Sequence, residues 1–390
     1  MRVDAPPERL HALDAVRAGA LLLGIVLHGG LSFVPDAPDA LWPIHDVSQT
    51  GWVGALVFVI HVFRMPVFFL VAGLLAHALV HRLGSAGFWR NRAARIALPL
   101  VIAWPLSFGL IAAVVVWMLS RSQGGGWPVV PAETVQSGVA WLHLWFLYVL
   151  LWLYGIVWLA SAALRALDRP QRVARALDRV LRALLASPLR SFVLALPIAC
   201  ALWLEPTWLW RGGMPTPGYT LIPPVVPLFV FVFVFGIGWL IDRQRALLAH
   251  LRHGWALRLV LGLACAAGCY ALAVSEFGLR VDHDARWRLV YALGYASGLI
   301  GCTLGCVGAG LRFLAAPSAP VRYLADASYW MYLAHLPLVM ALQAALMHMD
   351  APWWLKFSAV VLGACALLLW SYRLWVRPTW IGALLNGSRR

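Results

Sequence analysis

Ten predominantly apolar runs follow one another along the chain, most of them long enough to cross a bilayer as a helix. They cover about 12–33, 52–80, 97–119, 139–164, 191–210, 221–241, 258–277, 289–314, 323–346 and 353–376. They are too long for barrel strands, so the expected fold class is all-α, a polytopic integral membrane protein. The second run holds Pro66, which predicts a kink or tilt. The fifth and sixth carry Pro197, Pro206, Pro223, Pro224 and Pro227, where the backbone must be irregular and shielded by protein.

The informative positions are the polar ones inside these runs. In Leu13–Phe33, LDAVRAGALLLGIVLHGGLSF, a helix turning about 100° per residue brings Arg17 and His28 to within roughly 20° of one direction. Asp14 falls about 40° to the other side, and His28 lies roughly 16 Å deeper than Arg17. Such a stripe should face a protein interior or a wet cavity. The alternative is an interfacial Asp14–Arg17 pair with His28 as a hydrogen-bonded packing residue. In the second run, IHVFRMPVFFLVAG, His61 and Arg64 share a face near mid-membrane, as candidate substrate-binding residues. Arg64 is suited to binding an anion or carbonyl, and equally to pairing with Asp46 or Asp326. The fourth opens HLWFLYVLLWLYG, with His143, Trp145, Tyr148 and Trp152. Much of it reads as interfacial aromatic belt, with Trp145 a candidate substrate contact. The ninth, DASYWMYLAHLPLV, sets Asp326, Tyr329, Tyr332 and His335 three residues apart. His335 is a candidate partner for His28 or a wall of a sugar pocket, and Tyr332 a candidate substrate-binding residue.

Composition agrees with the membrane reading: 62% of residues are hydrophobic, 12% charged, and mean hydropathy is +0.78. A soluble chain carries about twice that charged fraction. The net charge of +15 rests on arginine, Lys356 being the only lysine. In a soluble protein it would point to nucleic acid; here the arginines flank apolar spans, as orientation signals do. With the N-terminus in the cytoplasm, the inner segments collect Arg2, Arg9, Arg17, Arg82, Arg90, Arg92 and Arg95, then seven arginines from Arg165 to Arg190. Arg243, Arg245, Arg252, Arg258, Arg312, Arg322, Arg373, Arg377, Arg389 and Arg390 follow on that side. The outer segments hold only Arg121, Arg211, Arg280, Arg286 and Arg288. Both termini are therefore expected in the cytoplasm, with the first helix a retained span rather than a cleaved signal. Segment 165–190 reads as an amphipathic helix on anionic lipid. The outer loop 34–51 holds Asp36, Asp39, His45 and Asp46 and no basic residue: a solvated loop, or an acidic lid over His28. Cys265/Cys269 and Cys302/Cys306 repeat at i,i+4 without accompanying His or carboxylate, which predicts helix packing rather than a metal site.

After the second run comes FWRNRAARIALPL. Arg92 and Arg95, with Arg90 nearby, cluster where backbone N–H groups also favour anions, which points to a phosphate-bearing ligand. LDxxR, the Arg17–His28 spacing, FRMPVFFLVAG, RxxRIALP, HLWFLYVL and SYWMYLAHLPLV in this order resemble the acyltransferase 3 family, especially its glucan-modifying branch. The resemblance implies a ten-helix enzyme of the bacterial inner membrane, moving an acyl group of the acetyl or succinyl class from cytosolic acyl-CoA to a carbohydrate outside. By it, His28 matches the essential histidine, Arg17 its partner, and Arg92/Arg95 the pair linked to the donor. Ala72 departs from the family's usual serine before Gly73. Residues 1–390 are expected to form that membrane domain alone, with no metal and no nucleic-acid partner.

The residues admit this chemistry without the family. Acyl transfer from a thioester needs a base or nucleophile and a stabiliser for the oxyanion. Imidazole suits the first role; Arg64, a protonated His335 or a tyrosine hydroxyl suits the second. Asp46 is the expected carboxylate orienting His28. The rival reading is a transporter or flippase binding a polar substrate without chemistry, but no internal repeat is evident. The arginine asymmetry makes a direct prediction: reporter fusions at Gly84 and Arg175 will report cytoplasm, and one at Ala40 the outside. A periplasmic signal at Arg175 would overturn the orientation.

Overall fold

The computed structural model describes residues 11–38, 42–121, 139–168, 170–205, 208–218, 220–275 and 284–386. Arg2, Arg9, Asp39, Ala40, Arg169, Pro206, Arg280, Arg389 and Arg390 lie outside the described residues. Among those described, the protein is helical throughout: α1 (His11–Gly30), α2 (Gly51–Arg92), α3 (Leu98–Arg121), α4 (Trp145–Leu167), α5 (Arg172–Leu185), α6 (Ala195–Trp203) and α7 (Val225–Arg243). There follow α8 (Leu247–His253), α9 (Trp255–Val274), α10 (Ala285–Phe313), α11 (Ala319–Leu346), α12 (Trp353–Ser371) and α13 (Trp380–Asn386). Eight helical stretches among them are long and apolar enough to cross a membrane, so this is an all-α polytopic membrane protein.

Three expected spans take a different form. The runs 52–80 and 97–119 belong to one helical stretch, Gly51–Ser120, broken at Gly84, whose φ of +66° a residue with a Cβ adopts only under strain. The chain reverses there. Trp158 donates to Ser85 Oγ at 3.3 Å, Arg92 to Tyr154 at 3.1 Å and Trp104 to the Ala140 carbonyl at 2.7 Å, so the second limb runs antiparallel to α4. The expected span 191–210 is a shorter apolar helix, Arg190–Trp203. Its C-terminal carbonyls are taken by Arg288, which donates to Trp203 O at 3.1 Å and also to Glu205 O. A cation there stops the helix and offsets its dipole.

α1 is packed by α2, α10, α11 and α12. α2 and α7 cross closely: a Cβ on Gly73 would lie 2.0 Å from Phe235 O, and one on Gly238 1.9 Å from Leu70 O. Small residues permit such approaches in lipid, where the hydrophobic effect does not drive helices together. The free cysteines Cys269 and Cys302 are buried where α9 packs on α10.

Arg258 corrects the charge reading. Expected as an orientation signal, it is fully buried and donates to Ser191 Oγ (3.1 Å), His250 O (3.1 Å) and Leu185 O (2.9 Å). It staples the C-terminal carbonyls of α5 and α8. α5 itself is amphipathic: Ala174, Leu181 and Leu185 are buried, Val173, Leu177 and Val180 are exposed beside them, and the arginines take the remaining arc. The backbone amides of Arg172, Val173 and Ala174 donate to the Asp168 carboxylate, which caps its first turn.

Gly73→Ala should destabilise the protein by about 1–3 kcal/mol, since the new methyl meets backbone that cannot swing aside. Thermal unfolding in detergent measures it; an unchanged midpoint would mean that α2 and α7 separate without loss.

Candidate active site

His28 lies near the end of α1 opposite the arginine-rich end, on the side facing α11. Its Nδ1 is 2.8 Å from His335 Nε2, with the rings stacked at 5.0 Å. His335 Nδ1 is in turn 2.7 Å from the Tyr332 carbonyl. A carbonyl only accepts, so a neutral His335 carries its proton on Nδ1 and presents a bare Nε2, which leaves no place for the protonated His335 expected as an oxyanion stabiliser. His28 then donates from Nδ1, which leaves its own Nε2 lone pair uncommitted. Three atoms in series thus fix one tautomer, in the way a second group orients a catalytic imidazole.

The neighbourhood holds this pair in place. Gln343, also on α11, donates to the carbonyls of His28 (2.9 Å) and Gly29 (3.0 Å), which the end of α1 leaves without helical partners. Its Oε1 accepts from Trp42 Nε1 at 3.1 Å, and the buried Trp42 ring lies parallel to His28 with centroids 6.0 Å apart. The loop between α1 and α2 is therefore closed over His28, but not by the acidic route expected. Asp46 does not reach His28: its carboxylate accepts from Lys356 Nζ at 2.5 Å and from Ser48 N at 2.7 Å. Both partners of that ion pair are 2% exposed, and it pins the loop to α12. The orienting place given to Asp46 in the sequence is taken by His335.

Arg64 approaches from α2. Its Nη1 would lie 2.3 Å from a Cβ on Gly24, so the guanidinium rests on α1 one turn before His28. No ion pair involves Arg64 among the described residues, and its Nε is buried without a hydrogen-bond partner. Of the two readings, pairing with Asp46 or Asp326 is not what the structure shows among the described residues, and the cation is left free for an anion or carbonyl. His28, His61, Arg64 and Tyr332 are each half-buried and keep some accessible surface. His61 spends Nε2 on the Met214 carbonyl at 3.0 Å, anchoring the segment before α7. Tyr332 donates to His143 O at 2.8 Å. Trp145 is buried in the core, stacked on Phe231 with centroids 5.8 Å apart. It packs the bundle rather than facing a ligand.

The other end gathers the arginines. Asp14 and Arg17 form a 3.5 Å pair, partly exposed. Arg92 is held by Tyr154 Oη at 3.1 Å and lies over the rings of Tyr154 and Phe88, at 5.3 and 5.8 Å. Tyr329 Oη donates to the Arg95 carbonyl at 2.7 Å, in the π-helical turn Ala93–Ala97. Arg92, Arg17 and Arg95 all lie within electrostatic reach of the Tyr329 hydroxyl, so the stripe on α1 and the pair after α2 meet at one mouth. Arg90 is exposed and turned away. Among the described residues, no three His, Cys, Asp or Glu side chains gather as a metal site.

Gln343 and Trp42 escaped the sequence reading, because neither is charged and they lie 301 residues apart. His143 had a legible signal. Pro337 has no N–H, which leaves the Leu333 carbonyl without its helical donor, and His143 Nε2 fills that place at 3.2 Å.

Removing one member of the buried Lys356–Asp46 pair should be far worse than removing both. Lys356→Met alone should cost about 3–5 kcal/mol, and adding Asp46→Leu should recover much of it. Thermal unfolding of the single and double variants decides this; a double variant as unstable as the single would contradict the ion-pair reading.

The comparisons with known proteins point the same way. A family model described as an acyltransferase domain matches residues 10–376. The glucans biosynthesis protein C of Salmonella paratyphi B is 29% identical over 150 residues, 38% of this chain and 38% of that protein. Those of Salmonella heidelberg and Salmonella enteritidis match to the same extent. The matched stretch thus spans well under half the length of these relatives. No solved structure matches. With the family model covering nearly the whole chain, the protein belongs to the acyltransferase 3 family.

Proposed function

We propose that residues 1–390 act as one module that transfers an acyl group from cytosolic acyl-CoA to a hydroxyl of a carbohydrate across the bacterial inner membrane. The observation that carries this reading is the uncommitted Nε2 of His28, at the end of a tautomer-fixing chain and beside an unpaired buried arginine. The arginine asymmetry supports placing the Arg17/Arg92/Arg95 mouth in the cytoplasm. Three guanidinium groups there suit the phosphates of CoA. The pantetheine arm then carries the thioester toward His28, about 16 Å further along α1. The names of the relatives support a glucan-type acceptor, and an acyl group of the acetyl or succinyl class fits the same reading.

The reaction follows from the groups present. His28 Nε2 takes the proton of the acceptor hydroxyl as its oxygen attacks the thioester carbonyl carbon. Arg64 stabilises the oxyanion that forms, in a setting where water does not screen it. Collapse of the tetrahedral intermediate breaks the carbon–sulfur bond, and the proton held on His28 passes to the departing sulfur. The products are an ester and free CoA thiol. His335 receives the Nδ1–H bond of His28 throughout and stabilises the imidazolium.

The test uses membranes containing the full chain, labelled acetyl-CoA or succinyl-CoA, and a soluble glucan oligosaccharide. His28→Gln keeps a hydrogen-bonding group that cannot titrate and should lower transfer roughly a hundredfold or more. Arg92→Ala with Arg95→Ala should weaken acyl-CoA binding, and lysine replacements should restore it only in part. Near-native transfer by His28→Gln would refute the base assignment. Unchanged CoA affinity in the double arginine variant would reduce that pair to an orientation signal.

A further inference from the structure

His143 is used by none of the steps above, yet its ring lies edge-on to His335 with centroids 5.0 Å apart. It is 6% exposed, in the short turn Leu142–Leu144 that leads into α4. Its Nε2 lies 3.2 Å from the Leu333 carbonyl, which only accepts, so the ring proton sits on Nε2. Nδ1 is therefore a bare acceptor, and it is buried with no hydrogen-bond partner among the described residues. The ring has little freedom to relieve this: Tyr332 Oη holds the His143 carbonyl at 2.8 Å, and the Leu333 carbonyl holds the other nitrogen. Buried acceptors left bare are costly and uncommon, and those beside reacting groups are candidates for substrate contact.

We infer that His143 is an acceptor-binding residue, whose Nδ1 receives a hydrogen bond from the hydroxyl next to the one that His28 activates. The inference rests on the acyl-transfer reading and adds to it a requirement for two adjacent hydroxyls. His28 and His143 each hold their ring centroid 5.0 Å from that of His335, one stacked on it and the other edge-on. Two bare imidazole nitrogens so placed match a vicinal diol, each hydroxyl donating to one of them. The amides of a donor arm trail toward the arginine mouth, away from this turn. A monohydroxy alcohol would satisfy His28 and leave His143 bare, so the site selects polyols, sugars above all.

Two substitutions separate the two ring nitrogens. His143→Gln sets an amide N–H near the position of Nε2 and keeps the bond to Leu333, but offers nothing at Nδ1. His143→Asn sets an amide oxygen near Nδ1 and gives up the bond to Leu333. The experiment measures steady-state transfer by the full chain, from acetyl-CoA or succinyl-CoA, to a methyl glucoside and to its analogues deoxygenated beside the acylated position. The original protein should prefer the intact sugar by roughly tenfold in KM, the weight of one hydrogen bond. His143→Gln should lose that preference through KM more than kcat, and His143→Asn should retain it. Equal KM values for intact and deoxy sugars with the original protein would overturn the inference without any variant. So would a His143→Gln protein that still discriminates, or a loss of discrimination in His143→Asn alone, which would assign the effect to the Leu333 bond. Absence of any transfer by the original protein would instead refute the acyl-transfer reading on which this rests.

Discussion

A histidine inside a membrane protein must have its ring N–H satisfied, because lipid offers no partner. The protein meets this with a chain that ends on backbone: the Tyr332 carbonyl accepts from His335, and His335 accepts from His28. A carbonyl cannot reverse its role, so the direction of every bond in the chain is fixed. What remains is one lone pair, on His28 Nε2. The requirement of burial and the requirement of a base are met by the same two hydrogen bonds.

The surrounding structure keeps that chain assembled. α11 carries His335, Tyr332 and Gln343 on the face turned to α1, so one helix contact supplies the relay and satisfies the terminal carbonyls of His28 and Gly29. Pro337 in the same helix frees the Leu333 carbonyl for His143. The loop between α1 and α2 is held by Lys356 through Asp46 and by Gln343 through Trp42, which keeps the Trp42 ring parallel to His28. Arg64 lies against Gly24, where any side chain would displace it. In the proposed reaction its unmatched charge awaits the oxyanion, and an enzyme that stored a counter-ion there would lose the effect.

Helix periodicity made much of this legible. The spacing of Arg17 and His28 placed them on one stripe, and the three-residue steps from Tyr329 to His335 placed a second stripe on another helix. That the stripes meet was a short inference, since polar groups in lipid must find one another. The pairing of Asp46 was not legible, because a loop carboxylate has no periodicity to aim it. Its partner Lys356 falls inside the apolar run 353–376, 310 residues from Asp46 in sequence. The short helix Arg190–Trp203 stops just before Glu205 and Pro206, a boundary present in the sequence but overridden in the reading by the apolar Trp208, Leu209 and Trp210 beyond it. Arg258 misled for the opposite reason: flanking position marks an arginine as an orientation signal, whereas burial depends on which carbonyls happen to converge on it.

The central claim is the tautomer of His28, and nitrogen-15 magnetic resonance of histidine-labelled protein in membranes reads it directly. Among the 12 histidines, the His28 signals are those lost in a His28→Gln difference spectrum. The account predicts a protonated Nδ1 in a strong hydrogen bond and an unprotonated Nε2 at neutral pH. A proton resident on His28 Nε2 would contradict it, because that nitrogen could then accept nothing from a substrate hydroxyl.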